Sequence, residues 1–284
     1  MKIVALIGNT SAPLSYFTNT INKHHKIDLV IIEKKKAVNT SSSKERKKKP
    51  SISLFEKTLR YILFKMERKK EQNRRKNLEK SHHEYYLELF KNDFENINSG
   101  IATMEVEDIN SKEVEEAIKK VNPNLIIDHG TSLVKSNILD LADLALNLHW
   151  GLSPYYRGVN CTNQALLNWD INNIGVTVHK LAEKIDGGDI LGQERTQIVP
   201  NDTIDRITSR LTYLGTLIII KAIDKLTNGE TLHFKPQDFN NGFLIKGLYW
   251  DDKVQSYINQ IDENLITKMI NKPSRGYAPI NKLE

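Results

Sequence analysis

Lys2-Ile3-Val4-Ala5-Leu6-Ile7-Gly8-Asn9-Thr10 is a short, β-branched, apolar run that ends in a turn. It predicts a strand over Lys2 to Ile7. A helix is expected next, from about Ser15 to Lys23, and then a second apolar strand, Ile27 to Ile32. Strand, helix, strand with continuously apolar strands begins an α/β fold whose parallel sheet is buried on both faces. The turn Gly8-Asn9-Thr10 lacks the full Gly-x-Gly-x-x-Gly pattern, so a dinucleotide site gets little support. Further along, Ile101 to Val106 predicts a strand. Ser111 caps a helix from Glu113 to Val121, which Asn122-Pro123 closes. Leu125 to Asp128 and Ala145 to Trp150 are expected strands, with a helix from about Ser136 to Leu141 between them. Thr162 to Trp169 predicts a helix, and Gly175 to Leu181 and Ile190 to Val199 predict strands. Asp202 is expected to cap a helix reaching about Leu226. A mixed region around Phe243 to Trp250 and a helix from Val254 to Ile270 complete the reading. The expected architecture is a Rossmann-like, open, mostly parallel sheet.

The 284 residues suit one large domain with a smaller companion. We expect a core over 1–200, and over 201–284 a core-completing helix plus a small C-terminal region that shapes a substrate pocket or a homodimer contact. No apolar run reaches membrane-spanning length. Met1 to Gly8 runs into the first strand without a signal-peptide layout. A lone Cys161 forms no internal disulfide and makes no zinc site, so no metal is expected. These features predict a cytoplasmic protein.

The formal charge of +6 is concentrated in one place. Residues 44–80 hold fifteen Lys or Arg and five Glu, a net of +10, which leaves −4 on the rest of the chain. The segment opens with Lys44-Glu45-Arg46-Lys47-Lys48-Lys49-Pro50. Phe55, Leu59, Ile62 and Met66 follow at helical spacing. The expectation is a helical hairpin inserted over about 34–95, with a solvated basic face. A docking surface for nucleic acid or membrane is the alternative. The segment has no zinc-finger spacing and no aromatic RNA-binding signature.

The chemistry-bearing stretch is Asn147-Leu148-His149-Trp150-Gly151-Leu152-Ser153-Pro154-Tyr155-Tyr156-Arg157-Gly158. Residues two apart in a strand share a face, so Asn147 and His149 project together and Leu148 into the opposite layer. They end a strand, where open α/β sheets build their sites. Downstream, Gly187 and Gly188 beside Asp186 let backbone approach a ligand. An amide that donates without titrating, an imidazole near neutrality and a carboxylate to orient it suit acyl transfer to an amine. On spacing alone, a satisfied core histidine and a turn-forming aspartate remain the better account. His179 reads as structural and Cys161 as a small buried hydrophobe. Tyr156 and Arg157 either face substrate or brace the loop. The pairs His24-His25 and His82-His83 read as solvated surface.

Residues 125–193 resemble the formyltransferase family that uses 10-formyltetrahydrofolate, whose members act on glycinamide ribonucleotide, methionyl-tRNA or nucleotide-linked amino sugars. The resemblance rests on Asn147-Leu148-His149, the loop Gly151 to Gly158, the strand Gly175-Val176-Thr177-Val178-His179 and Asp186-Gly187-Gly188. It implies catalytic roles for Asn147, His149 and Asp186. It also implies a folate pocket lined by Ser132, Leu133 and Val134 and by the segment from Leu181 to Asp186, including Ile185. The sequence departs from the family at Trp150 for a common Pro, Gly151 for Ser and Ser153 for Leu, which bears on the acceptor. The turn Gly8 to Leu14 lacks the purine enzyme's phosphate loop, and the 84 residues after Pro200 leave little room for the tRNA enzyme's barrel. The expected acceptor is therefore a small-molecule amine on a nucleotide-linked amino sugar. An amino acid, peptide or nucleoside amine is the alternative within the enzyme class, and a binding module using the basic insertion is the alternative outside it.

Overall fold

The computed structural model describes residues 1–34, 54–246, 261, 263–272 and 276–283. A seven-stranded sheet forms its centre, built from β1 (Ile3–Ile7), β2 (Leu29–Glu33), β3 (Thr103–Val106), β4 (Leu125–His129), β5 (Leu144–His149), β7 (Gly175–Lys180) and β8 (Ile190–Arg195). The spatial order is β3-β2-β1-β4-β5-β7-β8. The first five strands are parallel; β7 runs antiparallel to β5, and β8 antiparallel to β7. All five residues of β1 are buried, as a strand covered on both faces requires.

The two faces divide those residues. Ile3, Ala5, Ile7, Leu146 and Leu148 pack toward α1 (Ala12–His24) and α6 (Ile204–Thr227). Val4, Leu6 and Ile126 pack toward α3 (Lys112–Val121) and α4 (Ser136–Leu139). Asn147 and His149 therefore leave the sheet on the face opposite Leu146 and Leu148. A two-stranded ribbon joins β6 (Tyr156–Gly158) to β9 (Phe243–Ile245). α5 (Cys161–Leu167) and α7 (Glu263–Ile270) complete the elements used below.

Several expectations need correction. α1 begins at Ala12, because Pro13 fits a first helical turn whose N–H groups have no intrahelical acceptor. β8 ends at Arg195, which pairs with Gly175 at the start of β7, so the strand runs out of partner. Thr203, not Asp202, caps α6: its hydroxyl accepts from the Arg206 N–H. Asp202 is buried and instead binds Arg210 at 2.5 Å. The insertion is no hairpin over 54–90 but one unbroken helix, α2 (Leu54–Phe90). Those residues hold no Gly or Pro to turn the chain. The basic run Lys44 to Pro50, residues 247–250 and the expected helix start at 254–260 lie outside the described residues.

α2 is anchored at its C-terminal end. Tyr86, Leu89 and Phe90 join Tyr16, Phe94 and Tyr213 in a small aromatic cluster, with the Tyr16 and Phe90 rings stacked 4.1 Å apart. His82 lies 3.3 Å from Asp205, and His25 lies 2.8 Å from Asp224. Both histidines thus meet acids of α6, contrary to the solvated reading. Their partners stand more than a hundred residues away, where no local pattern reveals them.

Candidate active site

The site grows out of the β5–β7 register. Asn147 lies opposite His179, and His149 opposite Thr177, so both polar residues of β5 face the pair drawn from β7. Asp186 arrives on the loop after β7 in a left-handed conformation, with φ 42°. That loop is tied down from the tail: the Gln237 side-chain amide donates to the carbonyls of Asp186 (2.9 Å) and Gly188 (2.5 Å).

Asp186 is the hub. Oδ2 accepts the Gly158 N–H at 2.7 Å and lies 3.5 Å from His149 Nδ1. Oδ1 accepts from Asn147 Nδ2 at 3.3 Å and lies 3.5 Å from His179 Nε2. Asn147, His149 and His179 are all buried. The structure thus brings together the three residues singled out as catalytic. It adds His179, which the sequence reading left as structural.

Hydrogen-bond logic fixes the proton positions. His179 Nδ1 lies 2.7 Å from the Lys180 carbonyl, which can only accept, so Nδ1 carries the hydrogen. Nε2 is then an acceptor, filled by Asn147 Nδ2 at 3.2 Å. Both Asn147 N–H groups are consequently held inside the cluster. A flipped amide would set its oxygen against the carboxylate. His149 Nε2 lies 3.0 Å from the Tyr156 carbonyl and likewise carries hydrogen, so Nδ1, 3.5 Å from Asp186 Oδ2, is the nitrogen that gains or loses a proton.

Burial pushes the His149 imidazole below its ordinary value of 6.5, with Asp186 opposing part of the effect. Burial alone would raise the Asp186 carboxyl. The two imidazoles and the Gly158 N–H outweigh it and hold that group well below the usual carboxylate range. The resting cluster is therefore a neutral imidazole beside a carboxylate. It can accept a proton at His149 Nδ1 and stabilise the resulting cation.

Glycines set the close approaches around this cluster. Any Cβ at Gly151 would come within 2.5 Å of His149 Nε2 and 2.7 Å of the Tyr156 oxygen. The departure to Gly at this position thus makes room for the imidazole. Gly158 sits at φ 97°, against the Ile245 backbone. Tyr156 is anchored inward, its hydroxyl donating to Asp170 at 2.7 Å, while the buried Arg157 stacks over the Phe239 ring at 4.4 Å. Cys161 is buried, and burial raises its thiol well above the ordinary value.

The residues expected to line a folate pocket divide. Leu133 and Ile185 are exposed, at 47% and 37%. Val134 is 1% exposed and belongs to the core, with Leu181 packed against the same cluster. The Ser132 N–H donates to Glu33 at 2.6 Å, and the buried Glu33 also accepts from Ile109. Asn110 holds the turn from the other side through the Leu133 carbonyl and the Lys135 N–H. Glu33 and Asn110 were missed in the sequence. The one available signal is Glu33 itself, an acid ending an otherwise apolar strand.

An open α/β sheet carrying an amide, an imidazole and a carboxylate at one strand end defines a class of site suited to proton transfer beside a polarised carbonyl. A family model described as formyl transferase matches residues 1–223, and the chain belongs to that family. A methionyl-tRNA formyltransferase from Thermotoga neapolitana is 33% identical over 141 residues, 49% of this chain and 44% of that protein. The chain spans about half the length of the curated relatives it matches. Among solved structures, glycinamide ribonucleotide transformylase 1 from Symbiobacterium toebii superposes with a TM-score of 0.52 at 18% identity, covering 84% of this chain and 94% of that one. A sugar N-formyltransferase from a Shewanella species gives 0.51 at 16%, covering 88% and 78%. At these identities the likeness is one of fold.

Proposed function

We propose that this chain is an N-formyltransferase that moves a formyl group from 10-formyltetrahydrofolate to a primary amine of a small molecule, with a nucleotide-linked amino sugar as the acceptor. The observation that carries the reading is the buried Asn147–His149–Asp186 cluster in a chain of this family. The residues beside it fit the donor. Leu133 and Ile185 offer exposed apolar surface of the kind a flat pterin ring packs on, and Val134 and Leu181 back that surface. Glu33 fixes the Ser132 backbone in the turn that carries Leu133. When bound, the donor supplies an electrophilic formyl carbon.

The protein's own groups then act as follows. Neutral His149 takes the amine proton at Nδ1, Asp186 stabilises the imidazolium so formed, and the imidazolium would return that proton to the donor nitrogen as its bond to the formyl carbon breaks. Asn147 donates to the carbonyl oxygen as it gains charge. To do so it exchanges its contact with His179, since the bond to the Asp186 carboxylate is charge-assisted. One such donor contributes about 3 kcal/mol to lowering a barrier. His179 thereby presets the amide, and Gln237 presets the carboxylate.

A small acceptor is supported by the short β9 segment, which lies along β6 where the Asp186 loop is bonded, and by the altered loop Trp150, Gly151 and Ser153. Methionine carried on tRNA is the second reading, favoured by the names of the curated relatives. The test presents 10-formyltetrahydrofolate with amino-sugar nucleotides, free amino acids and methionyl-tRNA, and reads a mass gain of one formyl group. Transfer to the amino-sugar nucleotides is expected. Transfer confined to methionyl-tRNA would establish the second reading instead.

A further inference from the structure

The active site leaves α2 unexplained. Among the described residues, every hydrogen bond, ion pair and ring contact from this helix to the body of the protein comes from Ser81 or later. Residues 54–80 lie N-terminal to that anchor, a helical run of about 40 Å. The described side chains of this run, from Tyr61 to Lys80, are all exposed. Eight of its first thirteen residues, Leu54 to Met66, are apolar. Tyr61, Phe64 and Met66 stand 58%, 59% and 63% exposed.

The three do not form a stripe. At 3.6 residues per turn, Phe64 and Met66 point about 160° apart, with Tyr61 in a third direction. One partner helix, such as that of a second copy, covers a single apolar stripe and would leave part of this set in water. Below this tip the stem from Glu67 to Lys80 carries seven Lys or Arg against three Glu. The preceding segment adds the run Lys44 to Lys49. Phosphate contacts along a nucleic acid come from cations and polar groups, and Phe64 and Met66, turned to nearly opposite sides of the helix, have none to make. An anionic bilayer surface meets both requirements: its acyl boundary takes apolar groups from every side, and its phosphates take the cations.

We propose that α2 is a peripheral membrane arm that docks the protein on anionic lipid. Its apolar tip enters the interface and its basic stem rests among the headgroups. Docking holds the α/β body beside the membrane surface. The proposal does not depend on which amine is formylated.

The experiment uses the full chain, sedimented with phosphatidylcholine vesicles that contain or lack phosphatidylglycerol in equal part. Binding is expected with the anionic vesicles alone, weakening as salt rises. The triple substitution Tyr61→Ser, Phe64→Ser, Met66→Ser should reduce the bound fraction about tenfold or more while the melting temperature stays unchanged. Arg68→Glu with Lys69→Glu should weaken binding without touching the tip. Absence of binding to anionic vesicles overturns the proposal, as does binding that the triple substitution leaves intact. Tight, salt-dependent binding to a mixed RNA in place of vesicles would assign the arm to nucleic acid. Concentration-dependent dimers lost in the triple variant, without vesicle binding, would assign it to a second copy.

Discussion

At the residue scale, His149 concentrates the electrostatics of the site. Burial lowers its pKa from 6.5, while Asp186 works to raise it. The proposed reaction requires the base form for proton removal, so activity is expected above the folded pKa and lost as pH falls through it. The acid limb of kcat/KM should therefore lie below pH 6.5. Asp186→Asn removes the group that favours the imidazolium. In whatever activity remains, the limb should move further toward acid, and a shift toward neutral pH would contradict the assignment. Asn147 and His149 were legible as a pair because their spacing puts them on one face at a strand end. His179 was not, since its role comes from lying opposite Asn147 across β5 and β7, a register that neither strand encodes alone. Gln237 and Glu33 were hidden for the same reason: each acts on backbone distant in sequence.

At the element scale, α6 holds the sheet face opposite the site. Its Gly215 rests directly on β5 and β7: an added Cβ would fall 2.6 Å from Leu148 and 2.9 Å from Val176. Gly215→Ala would gain about 1 kcal/mol in helix propensity. It would also overpack two fully buried side chains, at a cost of about 1–3 kcal/mol. Overpacking wins, so the variant should be less stable by about 1 kcal/mol in denaturant titration. Equal or greater stability would show that α6 stands off the sheet. Strand identities were readable from continuous apolar runs, and the Ser111 cap from its hydroxyl. The expected hairpin and the observed single helix differ over 54–90 because basic composition does not break a helix. Helix continuity depends instead on the absence of breakers, and 54–90 has none.

At the scale of the whole molecule, charge and chemistry occupy different regions. The cluster around Asp186 is buried among β5, β6 and β7, whereas the cations that make the chain basic lie on and before α2. The +6 is thus no signature of the site. The acceptor is the feature least readable from either source. In the proposed reading it rests on loop shape and on the tail, where 243–245 pair with β6 and Gln237 bonds the Asp186 loop, and composition does not report such placement. The central claim is that Asn147, His149 and Asp186 act together on a formyl group. It is tested most directly by following 10-formyltetrahydrofolate-dependent formylation of the best amine in the wild type and in Asn147→Ala, His149→Ala and Asp186→Ala. Each variant should keep its circular dichroism spectrum and lose about a hundredfold or more in kcat/KM. Turnover at the wild-type rate in all three folded variants would contradict the claim.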